Sequence, residues 1–121
     1  MSKISSILVV DDEPSIPETL SIVFPEFSFQ QVESAEAAME ILDKDPSIDL
    51  MILDYKLPGK NGVEVAKDLK AKDPNLRTIM ISGYPDIEQE AMSNGVRAFI
   101  PKPIDFDDLQ EVIWSMMDNR L

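Results

Sequence analysis

The 121 residues suit a single domain, read over 1–121, and an apolar share of 44% can build a core without covalent staples. With neither cysteine nor histidine, the chain can form no disulfide, thiolate metal site, cysteine nucleophile, histidine triad or histidine zinc site, so any chemistry must run on carboxylates, hydroxyls and lysines. Twenty-three acidic residues against 11 basic ones give a formal charge of −12, which argues against binding nucleic-acid phosphates and favours a cation or a basic partner surface.

The amino-terminal stretch MSKISSILVVDDE holds too short an apolar run for a secretory signal, and no later run approaches the ~20 residues of a membrane span, so a cytoplasmic protein is expected. SILVV, Ser6 to Val10, reads as a first strand and leads to a helix from about Ser15. Pro17 fits that helix if Ser15 caps it and Glu18 completes a capping box, while Pro25 should end or kink it, so the helix is expected to be short. FSFQQV, Phe27 to Val32, is the second strand, followed by a helix opening at Ser34. DLMIL, Asp49 to Leu53, is the third strand; a Pro and Gly loop separates it from a helix capped near Asn61. TIMI, Thr78 to Ile81, precedes a helix capped near Asp86, and AFI, Ala98 to Ile100, precedes a last helix from about Asp105. In that last helix Phe106, Leu109, Ile113 and Met116 recur at helical spacing, Met117 extends the stripe and Trp114 falls toward its flank.

Continuous apolar strands alternating with helices imply a parallel sheet covered on both faces, a three-layer α/β sandwich with five strands. Such sheets bind ligands beyond the carboxyl ends of their strands. The first strand runs into Asp11 and Asp12, the third into Asp54, the fourth into Ser82 and the fifth, through Pro101, into Lys102. Carboxylates clustered there repel by about 4 kcal/mol per pair at 4 Å and an effective dielectric of 20, so a counter-charge is required. An oxygen-only donor set suits Mg²⁺, with Mn²⁺ as the alternative. A divalent ion beside a carboxylate, a hydroxyl and a lysine is equipment for a phosphoryl group: Lys102 would neutralise its oxygens, Ser82 would donate to it, and Asp54 could attack phosphorus to give an acyl phosphate.

At this point the chain resembles the receiver domain of two-component response regulators over essentially its whole length, through ILVVDDEPSI, LDYKLPGKNG, IMISGYPD and FIPKPID. The resemblance implies a flavodoxin-like (βα)5 fold with strand order 2-1-3-4-5, and a signalling domain rather than an enzyme acting on other substrates. It further implies that Asp54 is the phosphoacceptor, that Asp11 and Asp12 hold Mg²⁺ with Asp54 and the backbone carbonyl of Lys56, and that Ser82 and Lys102 follow the phosphoryl group. By the same resemblance the Lys102–Pro103 bond is usually cis, and Phe99 is the switch aromatic that remodels the face of helix 4, strand 5 and helix 5. The phosphodonor would be a phosphohistidine on a histidine kinase or histidine phosphotransfer protein. The acidic fifth helix, with Asp107, Asp108 and Glu111, lacks the charge pairing of one large group of DNA-binding dimers. Two other readings compete: a haloacid-dehalogenase-like phosphatase, which needs an aspartate two positions after its nucleophile where this chain has Lys56 or Glu13, and a phosphate-independent interaction module on the same scaffold.

Overall fold

The computed structural model describes residues 6–117. Along the chain run β1 (Ser6–Val10), α1 (Ser15–Val23), β2 (Ser28–Val32), α2 (Ala35–Lys44), β3 (Leu50–Asp54), β4 (Lys56–Leu57), β5 (Lys60–Asn61), α3 (Gly62–Lys72), β6 (Arg77–Ser82), a 3-10 turn (Pro85–Ile87), α4 (Glu88–Ser93), β7 (Ala98–Pro101) and α5 (Phe106–Met117). Five strands form one parallel sheet in the order β2-β1-β3-β6-β7, which is 2-1-3-4-5 once the small β4-β5 pair is set aside. The fold is therefore the expected three-layer sandwich. Among the described residues no helix is long and apolar enough to cross a membrane.

Strand side chains alternate between the two faces of the sheet. Ile7, Val9, Leu50, Ile52, Ile79 and Ile81 pack with Ile16 and Leu20 of α1 and Leu109 and Ile113 of α5. Their neighbours Leu8, Val10, Met51, Leu53 and Met80 pack on the other face with α2, α3 and α4, through Ala38, Leu69 and Ala91. Full burial of a leucine or isoleucine stabilises by about 2 kcal/mol, so Leu109 and Ile113 alone anchor α5 firmly. Phe106 is partly buried against the same cluster, Met116 is buried, and Trp114, 48% exposed, lies with its ring 5.0 Å from that of Phe24. The side chain of Met117 lies outside the described residues.

Two helix starts differ from expectation. Ser15 does not cap α1; Pro14 does, with φ −69° already helical and no side-chain bond. The first helical bond runs from the Glu18 N–H to the Pro14 carbonyl, so Pro17 sits in the first turn, where an N–H has no helical partner anyway. Pro25 does end α1, which stops at Val23. Asp86 does not cap α4, because Pro85 fixes φ one residue earlier and starts a tight turn in which the Ile87 N–H reaches the Tyr84 carbonyl. Asp86 is thereby placed inside the turn, and α4 starts at Glu88 without a side-chain cap. Asn61 caps α3 as expected, with Glu64 in a complete capping box, and α2 opens where expected, with Ser34 as its cap.

The fourth main strand begins one residue earlier than expected, at Arg77, which is buried. Its Nη1 donates to the Met116 carbonyl at 2.8 Å, so a cation closes the carboxyl end of α5, whose last turn has no basic residue.

Candidate functional site

The sheet order reverses at β1 and β3, and the crevice beyond their carboxyl ends is the place for a ligand in such a sheet. Asp11 follows β1 and is 1% exposed; Asp54 closes β3 and is 6% exposed. Lys102 follows β7 and its Nζ donates to Asp54 Oδ2 at 3.1 Å, the ammonium remaining partly in solvent. Asp54 Oδ1 accepts from the Lys56 N–H at 3.2 Å, so both carboxylate oxygens are held. Ser82 ends β6, beside β3, and is buried; its Oγ accepts from the Tyr84 N–H at 2.8 Å and is 3.4 Å from the Tyr84 carbonyl. The Lys102–Pro103 bond is cis. Phe99 is half-buried in β7, packed against the cluster on the α3 and α4 face.

Asp12 is exposed but lies against Asp11, and the two border an open depression of about 280 Å³ with Glu13, Lys102, Pro103 and Phe106. Burial, then the charge of Asp54, pushes the Asp11 carboxyl up to about 6, against a smaller lowering by Lys102. Asp11 Oδ1 accepts from the Glu13 N–H at 3.2 Å, while its buried Oδ2 has no hydrogen-bond partner among the described residues. Among those residues no three carboxylates are grouped to cage a metal unaided. One or two carboxylates are what Mg²⁺ ordinarily takes from a protein, the remaining positions going to water and phosphate oxygens. An unpaired buried oxygen, a disfavoured negative charge and an oxygen-only donor set therefore fit a hard divalent cation.

On the other side of Asp54, the Pro and Gly loop contains a two-stranded hairpin, β4 with β5, pairing Lys56 with Asn61 and Leu57 with Lys60. It returns the chain so that the Gly62 N–H meets the Tyr55 carbonyl at 2.6 Å. A Cβ on Gly62 would stand 2.7 Å from the Asp54 carbonyl oxygen and 2.8 Å from Tyr55 Cα, so only glycine fits. Gly62→Ala is expected to cost about 2 kcal/mol in urea unfolding by forcing the backbone of Asp54 aside, and a variant as stable as wild type would contradict so close an approach. Lys56 Nζ donates to the Tyr84 hydroxyl at 3.3 Å, and the Tyr84 ring meets Tyr55 edge-on at 5.6 Å. These groups border a groove of about 370 Å³ that also holds Leu57, Asp86 and Ile87.

Two further residues bear on the site without having been singled out in the sequence. Gly62 carried a weak signal, a glycine directly after a helix cap; Gln31, whose amide reaches the Asp11 and Glu13 carbonyls at 2.9 Å each, carried none beyond being polar in a strand.

The family described as response regulator receiver domain matches residues 7–114. The chain belongs to that family. It is 33% identical over 111 residues to sporulation initiation phosphotransferase F of Bacillus subtilis, covering 88% of this chain and 89% of that protein. Chemotaxis protein CheY of Listeria monocytogenes is 29% identical over 111 residues, with 88% and 93% covered. The chain spans only 19% of a longer relative, the putative two-component response regulator ARR21 of Arabidopsis thaliana, at 30% identity over 118 residues. Among solved structures, response regulator protein TrrA of Thermotoga maritima, in complex with Mg²⁺-BeF, superposes with a TM-score of 0.78 at 31% identity, covering 93% of this chain and 98% of that one. A CheY-like receiver domain from Methanospirillum hungatei gives 0.83 at 26% identity, with 97% and 96% covered. Receiver domains are signalling domains that accept phosphate from histidine kinases and generally bind Mg²⁺.

Proposed function

We propose that this receiver domain, spanning residues 1–121 and working in the cytoplasm, accepts a phosphoryl group on Asp54 from a partner phosphohistidine. The observation that carries the reading is a buried carboxylate, Asp54, held 3.1 Å from the Lys102 ammonium at the carboxyl edge of the sheet. An Asp54 carboxylate oxygen attacks phosphorus, the phosphorus–nitrogen bond to the donor imidazole breaks, and that imidazole leaves with the bonding electron pair and takes a proton from solvent. Lys102 and the Lys56 N–H keep the carboxylate oriented, and the Lys102 ammonium offsets charge on the phosphoryl oxygens. Asp11, Asp12, Asp54 and the Lys56 carbonyl would hold Mg²⁺ together with phosphoryl and water oxygens, and the ion would supply charge neutralisation for the phosphoryl oxygens.

The Ser82 proton has only the long 3.4 Å contact to the Tyr84 carbonyl, so turning it toward a phosphoryl oxygen costs little. Its acceptor bond from the Tyr84 N–H would pull the following loop with it, giving Phe99 and the α4, β7 and α5 face a changed packing partner. Phe99 has no hydroxyl, so that response rests on packing alone. The Mg²⁺-BeF complex of TrrA supports the reading, since it places a cation and a phosphoryl-like group together on a related chain.

Acetyl phosphate with Mg²⁺ should add one phosphoryl group, removable by hydroxylamine, and borohydride trapping followed by peptide mapping should locate it. A trapped peptide lacking Asp54 would overturn the assignment.

Lys56 and Tyr84, in contact at 3.3 Å, come two positions after Asp54 and Ser82, and the reading makes them flank the approach of the water that attacks the phosphoryl group on Asp54. The double variant Lys56→Asn with Tyr84→Ala should lose phosphate about tenfold faster, equivalent to about 1.4 kcal/mol in the barrier, when decay is followed in Mg²⁺ buffer after donor removal. Decay no faster than wild type would clear both side chains of that role.

A further inference from the structure

Adjacent strand residues face opposite ways, and Gln30 and Gln31 of edge strand β2 use both directions. Gln30 Nε2 donates to Asp45 Oδ2 at 3.1 Å and fastens β2 to the end of α2. Gln31 Nε2 donates to the Asp11 carbonyl and to the Glu13 carbonyl, each at 2.9 Å. A primary amide nitrogen has two hydrogens, so two carbonyl acceptors occupy it fully and fix which way the amide points. The Asp11 N–H in turn donates to the Val32 carbonyl at 3.0 Å. Three bonds from β2 thus hold the main chain on both sides of Asp12, whose own side chain is exposed.

We infer that Gln31 is a positioning residue for the cation site: by clamping the carbonyls that flank Asp12, it presets the Asp11 to Glu13 turn so that both carboxylates meet Mg²⁺ without the loop ordering on binding. The inference rests on the reading of Asp11 and Asp12 as Mg²⁺ ligands. The clamp acts through position alone, because neither amide hydrogen is left to reach an ion or a phosphoryl group. A flexible turn would have to lose conformational freedom when the ion binds, and groups that orient metal ligands typically change affinity by about 10–100-fold when removed. It also ties the site to an edge strand that bears no ligand of its own.

The test is a calorimetric Mg²⁺ titration of the full chain at pH 7.5, comparing wild type with Gln31→Met, Gln31→Asn and Gln30→Met. Gln31→Met keeps the shape and removes both donors, and Gln31→Asn keeps the amide but falls a methylene short; each should weaken Kd about tenfold. Gln30→Met, whose lost bond goes to Asp45, should stay within about twofold of wild type. In an Asp12→Ala background the Gln31→Met effect on Kd should shrink, since the two act on one ligand. A Gln31 that merely stabilised the fold would lower the metal-free unfolding midpoint and leave Kd unchanged, and that result in either Gln31 variant overturns the inference. Failure of wild type to bind Mg²⁺ would instead remove the cation site itself, and the positioning role with it.

Discussion

Asp54→Asn should take up no phosphoryl group under conditions that label wild type to one per chain. An amide oxygen or nitrogen is a poor nucleophile for phosphorus, and the substitution changes almost nothing else in shape. The Lys56 N–H can still be accepted at the position of Oδ1, so the strand end keeps its local bond. What goes is the charge opposite Lys102 and beside Asp11, and with it the second-largest cause of the raised Asp11 carboxyl. Intact-mass measurement after exposure to acetyl phosphate and Mg²⁺ reads the result directly. Labelling equal to wild type would place the nucleophile at another residue.

Asp11→Asn should stabilise the metal-free protein near neutral pH and remove most of its response to Mg²⁺. The carboxyl lies at about 6 in the fold against about 3.8 when unfolded, so the folded state holds the proton more tightly. Below about pH 4 the group is protonated in both states and exerts no penalty; as pH rises from 4 to 6 the unfolded chain gives up its proton first and stability falls. Above about pH 6 the full penalty, about 3 kcal/mol, is present. The variant should therefore exceed wild type in urea unfolding by about 2–3 kcal/mol at pH 7.5 and match it near pH 4. Asp45, held below the usual carboxylate range by its hydrogen bonds from Ser47, acts in the opposite sense, but it is common to both proteins and cancels at each pH. Saturating Mg²⁺ should close most of that gap at pH 7.5, since a hundredfold excess over Kd adds about 2.7 kcal/mol to wild type alone. A variant with the wild-type Mg²⁺ response would take Asp11 out of the site.

The parts of the fold legible in the sequence are those where a local pattern and a global requirement coincide. ILVV and LMIL are buried on both faces, so every residue in those runs is apolar and the strand announces itself. Asp54, Ser82 and Lys102 were readable because each interrupts or follows such a run at the same end of the sheet. The β4-β5 hairpin was not, since two-residue strands are too short to show a period. The cap at Asn61 and the helix opening at Ser34 were legible because a capping oxygen and its target lie three residues apart; the caps expected at Ser15 and Asp86 failed because a neighbouring proline had already set φ. Arg77 with Met116, and Gln31 with Asp11 and Glu13, join residues far apart along the chain, so no local spacing could reveal them.

The alternation of strand side chains between two packed layers has a consequence for how this chain can vary in length. Asp54 and Lys102 have the parity of Ile52 and Ile100, which face α1 and α5, whereas Ser82 and Phe99 have that of Met80, which faces α3 and α4. Inserting or deleting one residue within β3 or β6 would carry Asp54 or Ser82 into the opposite layer and turn the apolar row behind it inside out. The turn from Asp45 to Asp49, at the far end of the sheet, carries no such constraint from the site. Insertions and deletions should accordingly accumulate there among homologues, while β3 and β6 keep a fixed residue count up to their last position.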